Sequence, residues 1–212
     1  MRKTVQTILA CFVAVSFGMA QKAETVLEEA ANAYEKSNGI SAQFAANIQS
    51  EKLGVSESFE GTIQMKGDKF VLITPDMRTW YDGKTQWTYV VSTDEVNLTT
   101  PTGDDLQFVN PMILLRSYKK DFNLKYIGES TADTGRMAHD LQLTAKGNSD
   151  IEKIDVQIEK TTSLPVRMTV YMKNGMRSLI RISKMQTGVN QPDSFFTFNP
   201  ADYPDAFVVD LR

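Results

Sequence analysis

Apolar side chains alternate with polar ones through most of this chain, and this period of two is the strongest constraint on its fold. Successive side chains of a β-strand point to opposite faces of its sheet, so the alternation predicts strands that are buried on one face. The alternating segments include Ala42 to Ile48, Phe59 to Met65, Trp87 to Val91, Ile154 to Ile158, and Val166 to Met172.

Short turn signals separate these segments. They include Gly67-Asp68, Asp82-Gly83, Gly147-Asn148 and Asn174-Gly175. Asp82-Gly83 predicts a tight two-residue hairpin turn, because glycine adopts positive φ without strain. The spacing predicts about ten strands in one continuous, mainly antiparallel sheet from about Ile40 to Phe198. A sheet with so many one-sided strands must curl into a barrel or partial barrel, or be covered by helices.

Two segments break the alternation. In AETVLEEAANAYEKSNG, apolar residues recur at helical spacing and Asn38-Gly39 provides a stop, which predicts a helix near residues 22–37. In NPMILLRSYKK, Asn110 can cap a helix and Pro111 suits its first position, which predicts a short helix near residues 111–118.

The second helix would be apolar on nearly all sides, because Met112, Ile113, Leu114 and Leu115 follow one another without a polar residue. One interpretation is a core helix that plugs one side of the sheet. The other is a lid, with one side on the protein and the other facing an apolar guest.

The first 20 residues have the features of a secretory signal peptide. A basic start at Arg2 and Lys3 precedes an apolar run, and small residues lead to a predicted cleavage site after Ala20. Cys11 follows ILA and faintly resembles a lipobox, but cleavage there would leave half of the apolar run on the product. The sequence thus predicts an exported protein with one domain over residues 21–212.

The charge of this domain is mildly acidic. Without Arg2 and Lys3, 21 basic residues remain against 26 acidic ones, a formal charge of −5. That balance argues against nucleic acid or an anionic membrane as the main partner. No further apolar run is long enough to cross a bilayer.

Residues for catalysis are scarce. The one histidine, His139, precedes a predicted strand and fits a surface or strand-end position better than a ligand or base. The single cysteine, Cys11, lies in the predicted signal peptide, and nucleophile elbows, phosphate loops and zinc-helix motifs do not occur. We therefore expect a binding protein rather than an enzyme.

Eight of the ten methionines lie after residue 20, several at apolar strand positions. Methionine is flexible and suits cavities for varied apolar guests, although ordinary core filling explains any single one. The alternation predicts an apolar cavity whose wall side chains meet Met112, Ile113 and Leu115 of the lid. The predicted wall consists of Phe44, Ile48, Phe59, Ile63, Met65, Phe70, Trp87 and Tyr89.

The order of several segments resembles the LolA family, periplasmic carriers that move lipoproteins from the inner to the outer membrane of Gram-negative bacteria. The segments are ISAQFAANIQ, FEGTIQMKGDKF, DGKTQWTY, NPMILLRSYKKDFNLKYI and SFFTFNPADYPDAFVVD. The resemblance implies an incomplete, strongly bent antiparallel barrel with an apolar cavity under a helical lid. It also implies that Trp80, Trp87 and Tyr89 lie near the cavity or its supporting core.

This chain departs from the family at the residue that latches the lid. The family commonly carries a buried Arg-Pro pair, whereas this chain has MKGDKF, in which Lys66 is nearest. Lysine is a point charge on a flexible stem and cannot reproduce the planar, multidentate guanidinium. Lys66 is therefore the candidate lid latch in this chain, without the geometry of the family's arginine.

The resemblance implies a monomeric periplasmic carrier of lipoprotein acyl chains that needs no cofactor. An inner-membrane ATP-driven transporter would load it, and the outer-membrane acceptor is not identified by the sequence. A lipid or lipoprotein sensor on the same fold, acting through a partner protein, is the alternative. An exported lipid hydrolase is a third reading, which lacks a visible nucleophile and base.

Overall fold

The structure is a computed structural model, and it describes residues 20–101 and 118–212. Helix α1 covers residues 20–36 and a short helical segment, α2, covers residues 118–121. The strands are β1 Ile40–Ser50, β2 Val55–Lys66, β3 Lys69–Ile73, β4 Met77–Tyr81, β5 Gln86–Val90, β6 Glu95–Thr99, β7 Phe122–Thr131, β8 Met137–Ala145, β9 Ile151–Glu159, β10 Pro165–Met172, β11 Arg177–Thr187 and β12 Phe207–Asp210. Two 3₁₀ helices, Asp193–Phe196 and Pro200–Asp202, precede β12.

All twelve strands belong to one sheet, in the order β12-β6-β5-β4-β3-β2-β1-β11-β10-β9-β8-β7. Strands β1 to β6 form one meander and β7 to β11 form a second. The long antiparallel pair of β1 with β11 joins the two meanders. In the described residues the sheet is not closed, because β12 and β7 lie at its two ends. The predicted single, mainly antiparallel sheet is confirmed.

The sheet contains one parallel pair that the sequence did not indicate. Strand β12 runs parallel to β6, with Val208 opposite Val96. Parallel neighbours need a long connection, and here the second meander and the 3₁₀ helices supply it. Strand β12 lies outside the predicted span from Ile40 to Phe198, because its alternation is too short to stand out.

The turn after β4 is longer than predicted. The connection to β5 spans residues 82–85, and only Gly83 has positive φ, at 100°. The Asp82 carboxylate accepts the backbone N–H groups of Lys84 and Thr85, each at 2.8 Å. This side-chain bonding stabilises a four-residue loop in place of the two-residue turn.

One face of the sheet, here called the core face, packs with α1 in a continuous hydrophobic core. The core-face side chains are those in register with Phe44, and the opposite side of the sheet is called the outer face. The apolar side of α1 is fully buried at Ala23, Leu27 and Ala30, as its helical spacing predicts. Burial of a leucine such as Leu27 contributes about 2 kcal/mol.

Polar contacts hold both ends of α1. At its end, Tyr34 donates its hydroxyl to the Gly67 carbonyl at 2.6 Å. Near its start, Lys119 of α2 contacts Glu24 at 3.0 Å and Glu28 at 2.6 Å. These contacts join the helix to the β2–β3 turn and to the segment that leads into β7.

The predicted lid residues Met112 to Leu115, and residues 1–19 of the predicted signal peptide at residues 1–20, lie outside the described residues. Both stay predictions. None of the described helices is long and apolar enough to cross a membrane.

Candidate functional site

An apolar cavity of about 260 Å³ lies on the core face, on the β1–β5 side of the sheet. Six strands contribute side chains to it, β1 to β5 and β11. The lining residues are Phe44, Ala46, Phe59, Ile63, Met65, Leu72, Met77, Thr79, Gln86, Thr88, Ile180, Ile182 and Met185. An engineered cavity of about 150 Å³ with apolar walls binds benzene, so this one has room for a larger apolar group.

Strand register explains why these residues share one wall. Phe44 of β1 lies opposite Gly61 of β2 and Ile182 of β11. Directly paired residues point to the same face of a sheet, and the same face recurs at every second residue. The cavity wall is therefore part of the core face.

Gly61 leaves the room that Phe44 occupies. A Cβ atom at position 61 would lie 2.1 Å from the Ile73 carbonyl oxygen and 3.0 Å from Cε1 of Phe44. Phe44 packs edge-on against Phe59, with ring centroids 6.1 Å apart. The two rings form the aromatic part of the wall.

Three of the lining residues are methionines, Met65, Met77 and Met185. Unbranched, polarizable side chains can change shape around different guests with little strain. The wall is therefore deformable on both sides of β1.

One side of the cavity is polar but uncharged. Thr79 of β4 lies directly opposite Thr88 of β5, and Gln86 lies two residues away on the same face. The hydroxyl oxygens of the two threonines are 3.4 Å apart, and Gln86 Nε2 lies 3.4 Å from the Thr88 oxygen. Among the described residues, no charged side chain lines the cavity.

The structure brings four of the predicted wall residues together around this cavity: Phe44, Phe59, Ile63 and Met65. Two others share the core face but do not line it. Ile48 lies near the end of β1, opposite Glu57 and Ser178. Phe70 is completely buried, with its ring 5.3 Å from that of Tyr81.

The prediction that Trp87 and Tyr89 face the cavity is wrong. Both alternate with Gln86 and Thr88 along β5 and therefore point to the outer face. Tyr89 packs there against Tyr203, at 4.6 Å between ring centroids. The C-terminal segment covers this part of the outer face, so Tyr89 contacts an aromatic residue of the protein and does not line the cavity.

Sequence reasoning missed all three residues of the polar side, Thr79, Gln86 and Thr88. In β5, the face with the two aromatic residues is the more hydrophobic one and was therefore predicted to face the cavity. A strand with Trp87 and Tyr89 on one face suggests that this face is buried in the main core. That face is instead only half-buried, and its Tyr89 packs against Tyr203 of the C-terminal segment. In β11, the alternation of Ile180 and Ile182 with Arg181 could have identified the two isoleucines as residues of the cavity wall.

The described side-chain contacts of Lys66 are with the chain that follows β11. Its Nζ donates to Asn190 Oδ1 at 3.0 Å and to the Gln191 carbonyl at 2.8 Å. It also lies 4.0 Å from the Asp193 carboxylate, which Lys69 contacts at 2.7 Å. Lys66 thus fastens the chain after β11 to the end of β2, and its role as a lid latch stays a prediction.

His139 lies in β8 with little side-chain exposure, about 16%. Its Nδ1 is 3.0 Å from the Tyr126 hydroxyl and 3.6 Å from Glu129. Burial lowers the pKa of His139, although Glu129 opposes this effect. Within residues 20–101 and 118–212, no group of His, Cys, Asp and Glu is placed to hold a metal ion.

Two wider grooves, of about 650 and 690 Å³, lie mainly on the outer face. Charged residues such as Glu60 and Arg181 line both of them. An apolar guest would leave these charges without water, so the core-face cavity is the better candidate for a hydrophobic ligand.

The sequence profile of the family described as outer membrane lipoprotein carrier protein LolA matches residues 14–176, most of this chain. The chain belongs to the LolA family. The description is that of a carrier rather than an enzyme. No curated protein is significantly similar to the chain.

Solved structures that resemble this chain come from several bacteria. An uncharacterized conserved protein from Thermus thermophilus superposes with a TM-score of 0.57 at 15% identity, over 89% of this chain and 99% of that one. The LolA superfamily protein NE2245 from Nitrosomonas europaea gives 0.45 at 15% identity, over 85% and 98%. LprF from Mycobacterium bovis gives 0.48 at 15% identity, over 82% and 97%. Only the Thermus thermophilus protein has a TM-score above 0.5, and at 15% identity this likeness shows a shared fold and nothing more.

Proposed function

We propose that this LolA-family protein is a periplasmic carrier that binds lipoprotein acyl chains in the core-face cavity and moves them from the inner to the outer membrane. The observation that carries the proposal is the cavity itself, with its wall of apolar side chains from six strands. Membership of a family described as lipoprotein carriers agrees with this use of the cavity.

The physical need for such a carrier follows from the hydrophobic effect. Each CH₂ group buried contributes about 0.8 kcal/mol, so an acyl chain of about 16 carbons in water is unfavourable by about 12 kcal/mol. An acylated protein needs that surface covered to cross an aqueous compartment. A deformable wall with Met65, Met77 and Met185 suits binding that is strong enough to cover the chain and weak enough to release it.

Strand spacing supports an incomplete barrel. Neighbouring strands are about 4.8 Å apart, so β5 and β11 would be separated by about 24 Å in a flat sheet. Side chains of both strands line one cavity of about 260 Å³, although four strands lie between them. We propose that the sheet bends around the cavity and that the helix at Met112 to Leu115 covers it as a lid.

Export and partners complete the proposal. The signal peptide at residues 1–20 would direct the chain to the periplasm, where it acts as a monomer. No nucleotide motif is present in the sequence, so an inner-membrane ATP-driven transporter would supply the energy for loading. The family description supports the proposed cargo and transporter, and the predicted signal peptide supports the proposed localisation.

Two adjacent residues of β11 allow a matched test of the cavity. Ile180 lines it, whereas Leu179 points to the outer face, and both are half-buried. We expect Ile180→Gln to weaken binding of a fluorescent fatty-acyl probe about tenfold, and Leu179→Gln to leave it within about twofold, because only the first places an amide in the cavity. Equal probe binding by the two variants would show that the acyl chain does not bind in this cavity.

Depletion of the protein in its host separates a carrier from a sensor. Loss of a carrier leaves lipoproteins in the inner membrane, which fractionation and immunoblotting of the two membranes measure. Loss of a sensor changes a stress response while the lipoproteins still reach the outer membrane. The second outcome would contradict the carrier role.

A further inference from the structure

The polar side of the cavity is built from three side chains on two neighbouring strands. Thr79 is almost completely buried, and Gln86 and Thr88 are half-buried. They lie at the β5 end of the lining, whereas Ile180 and Ile182 of β11 lie at the other end in strand order. The cavity therefore has a polar end and an apolar end.

The hydrogen bonds among these three side chains are long. Both the Thr79–Thr88 and the Gln86–Thr88 contacts measure 3.4 Å, beyond the usual range of about 2.5–3.2 Å for such bonds. A glutamine amide has two N–H donors and a carbonyl acceptor, and each threonine hydroxyl can both donate and accept. The group keeps hydrogen-bonding capacity that it could direct at a ligand.

The charge of the lining limits which polar group the ligand can carry. Neither Thr79, Gln86 nor Thr88 is charged, and no other described lining residue is. An ionised carboxylate would leave water without gaining a cationic partner, which is strongly unfavourable. An ester or amide carbonyl is uncharged and needs only one or two N–H or O–H donors.

We propose that this end of the cavity recognises the carbonyl of an esterified or amide-linked acyl chain, while the methylenes extend toward Ile180 and Ile182. The inference rests on the proposed function, because it assumes that acyl chains enter this cavity. It adds that the cavity binds them in one direction and prefers the neutral, linked chain over the free fatty acid. A carrier of acylated proteins would thereby avoid being filled by free fatty acids.

Competition with a fluorescent acyl probe at pH 8 tests this preference. The competitors are methyl dodecanoate, N-methyl dodecanamide, dodecanoate and dodecane, which share one chain length and differ in the end group. We expect the ester and the amide to bind the wild-type protein about threefold to tenfold more tightly than dodecane, the effect of one or two neutral hydrogen bonds. Dodecanoate should bind more weakly than the ester. The two neutral competitors also show whether ester-linked or amide-linked chains are favoured.

Substitutions at the polar end should remove the preference. In Thr88→Val and Gln86→Met, shape is nearly kept and the donors are lost, so ester and dodecane should bind within about twofold of one another. Ile182→Ala at the apolar end is the control, and it should weaken all four competitors by a similar factor. An unchanged ester preference in both polar-end variants would overturn the inference.

Infrared spectroscopy of the wild-type protein gives a test that does not depend on the folding of variants. The carbonyl stretch of bound, ¹³C-labelled methyl dodecanoate should lie at lower frequency than in hydrocarbon solvent, because hydrogen bonding weakens the C=O bond. A band at the hydrocarbon position would contradict the inference and leave the proposed function standing. If none of the four competitors displaces the probe, the proposed function fails, and the inference fails with it.

Discussion

At the scale of single residues, the cavity wall depends on the absence of a side chain at Gly61, which leaves space for the ring of Phe44. The glycine lies opposite the phenylalanine in the β1–β2 pair and provides the space that its ring fills. Sequence reasoning predicted Phe44 as a wall residue from alternation alone. It could not predict the role of Gly61, because the contact with the Ile73 carbonyl arises from the path of a third strand.

Gly61→Ala should destabilise the fold. The new methyl group would lie 2.1 Å from the Ile73 carbonyl oxygen, which is backbone and cannot rotate away. We expect the free energy of unfolding to fall by about 2–3 kcal/mol, measured by urea denaturation. Ser56→Ala, at an exposed position of the same strand, should change it by less than about 0.5 kcal/mol. A Gly61→Ala variant as stable as the wild type would show that β3 can move.

Two titrating residues beside the start of α1 should make stability depend on pH. Burial lowers the pKa of His139 below its ordinary 6.5, and a hydrogen bond from Lys160 lowers the pKa of Glu129 below 4.5. As the pH falls, each of the two groups therefore binds its proton at a higher pH in the unfolded chain than in the folded protein. The stability that His139 and Glu129 contribute is fully present above about pH 7, and it is lost as the pH falls through their pKa values in the folded protein.

Urea denaturation from pH 7.5 to pH 4 measures this dependence. The free energy of unfolding should decrease continuously toward acid, first through His139 and then through Glu129. His139→Gln should flatten the curve between about pH 6.5 and 5 while leaving the lower part, because glutamine does not titrate. A wild-type protein that gains stability from pH 7 to pH 5.5 would contradict the assigned pKa directions.

At the scale of elements, strand β5 shows where periodicity reaches its limit. Alternation correctly separates Gln86 and Thr88 from Trp87 and Tyr89, but it cannot say which set faces the main core. Hydrophobicity alone favours the aromatic set as the inner one. The C-terminal segment, through Phe198 and Tyr203, gives the outer face a second apolar cover, and no local pattern in β5 records it.

Tyr203 should be the anchor of this cover. Its ring lies within 5.6 Å of those of Trp80, Tyr89 and Phe198, and Arg78 donates to its hydroxyl at 2.8 Å. We expect Tyr203→Ala to lower the free energy of unfolding by about 2 kcal/mol and to shift Trp80 fluorescence to longer wavelength as water enters. Tyr203→Phe keeps the ring and should cost about 1 kcal/mol or less.

Acyl-probe binding provides the control for Tyr203→Ala. The cluster lies on the outer face, so the folded variant should bind the probe within about twofold of wild type. A large loss of binding without loss of stability would mean that the outer face, rather than the core-face cavity, holds the acyl chain.

At the scale of the whole molecule, the β1–β11 pair gives the chain its cavity. It joins two meanders into one sheet and sets Phe44 beside Ile182 and Ala46 beside Ile180. Local patterns predict most of the strands and the helix near residues 22–37. They do not predict the pairing of β1 with β11, whose paired residues are 128 to 147 positions apart, because alternation defines a face and not a neighbour.

The central claim is that this cavity carries lipoprotein acyl chains, and native mass spectrometry of the protein purified from its host's periplasm tests it most directly. Protein from wild-type cells should include a complex heavier by the mass of an acylated lipoprotein, and the Ile180→Gln variant should lose most of that complex while Leu179→Gln retains it. Wild-type protein that is purified without any acylated molecule, under conditions that preserve other lipid complexes, would contradict the claim.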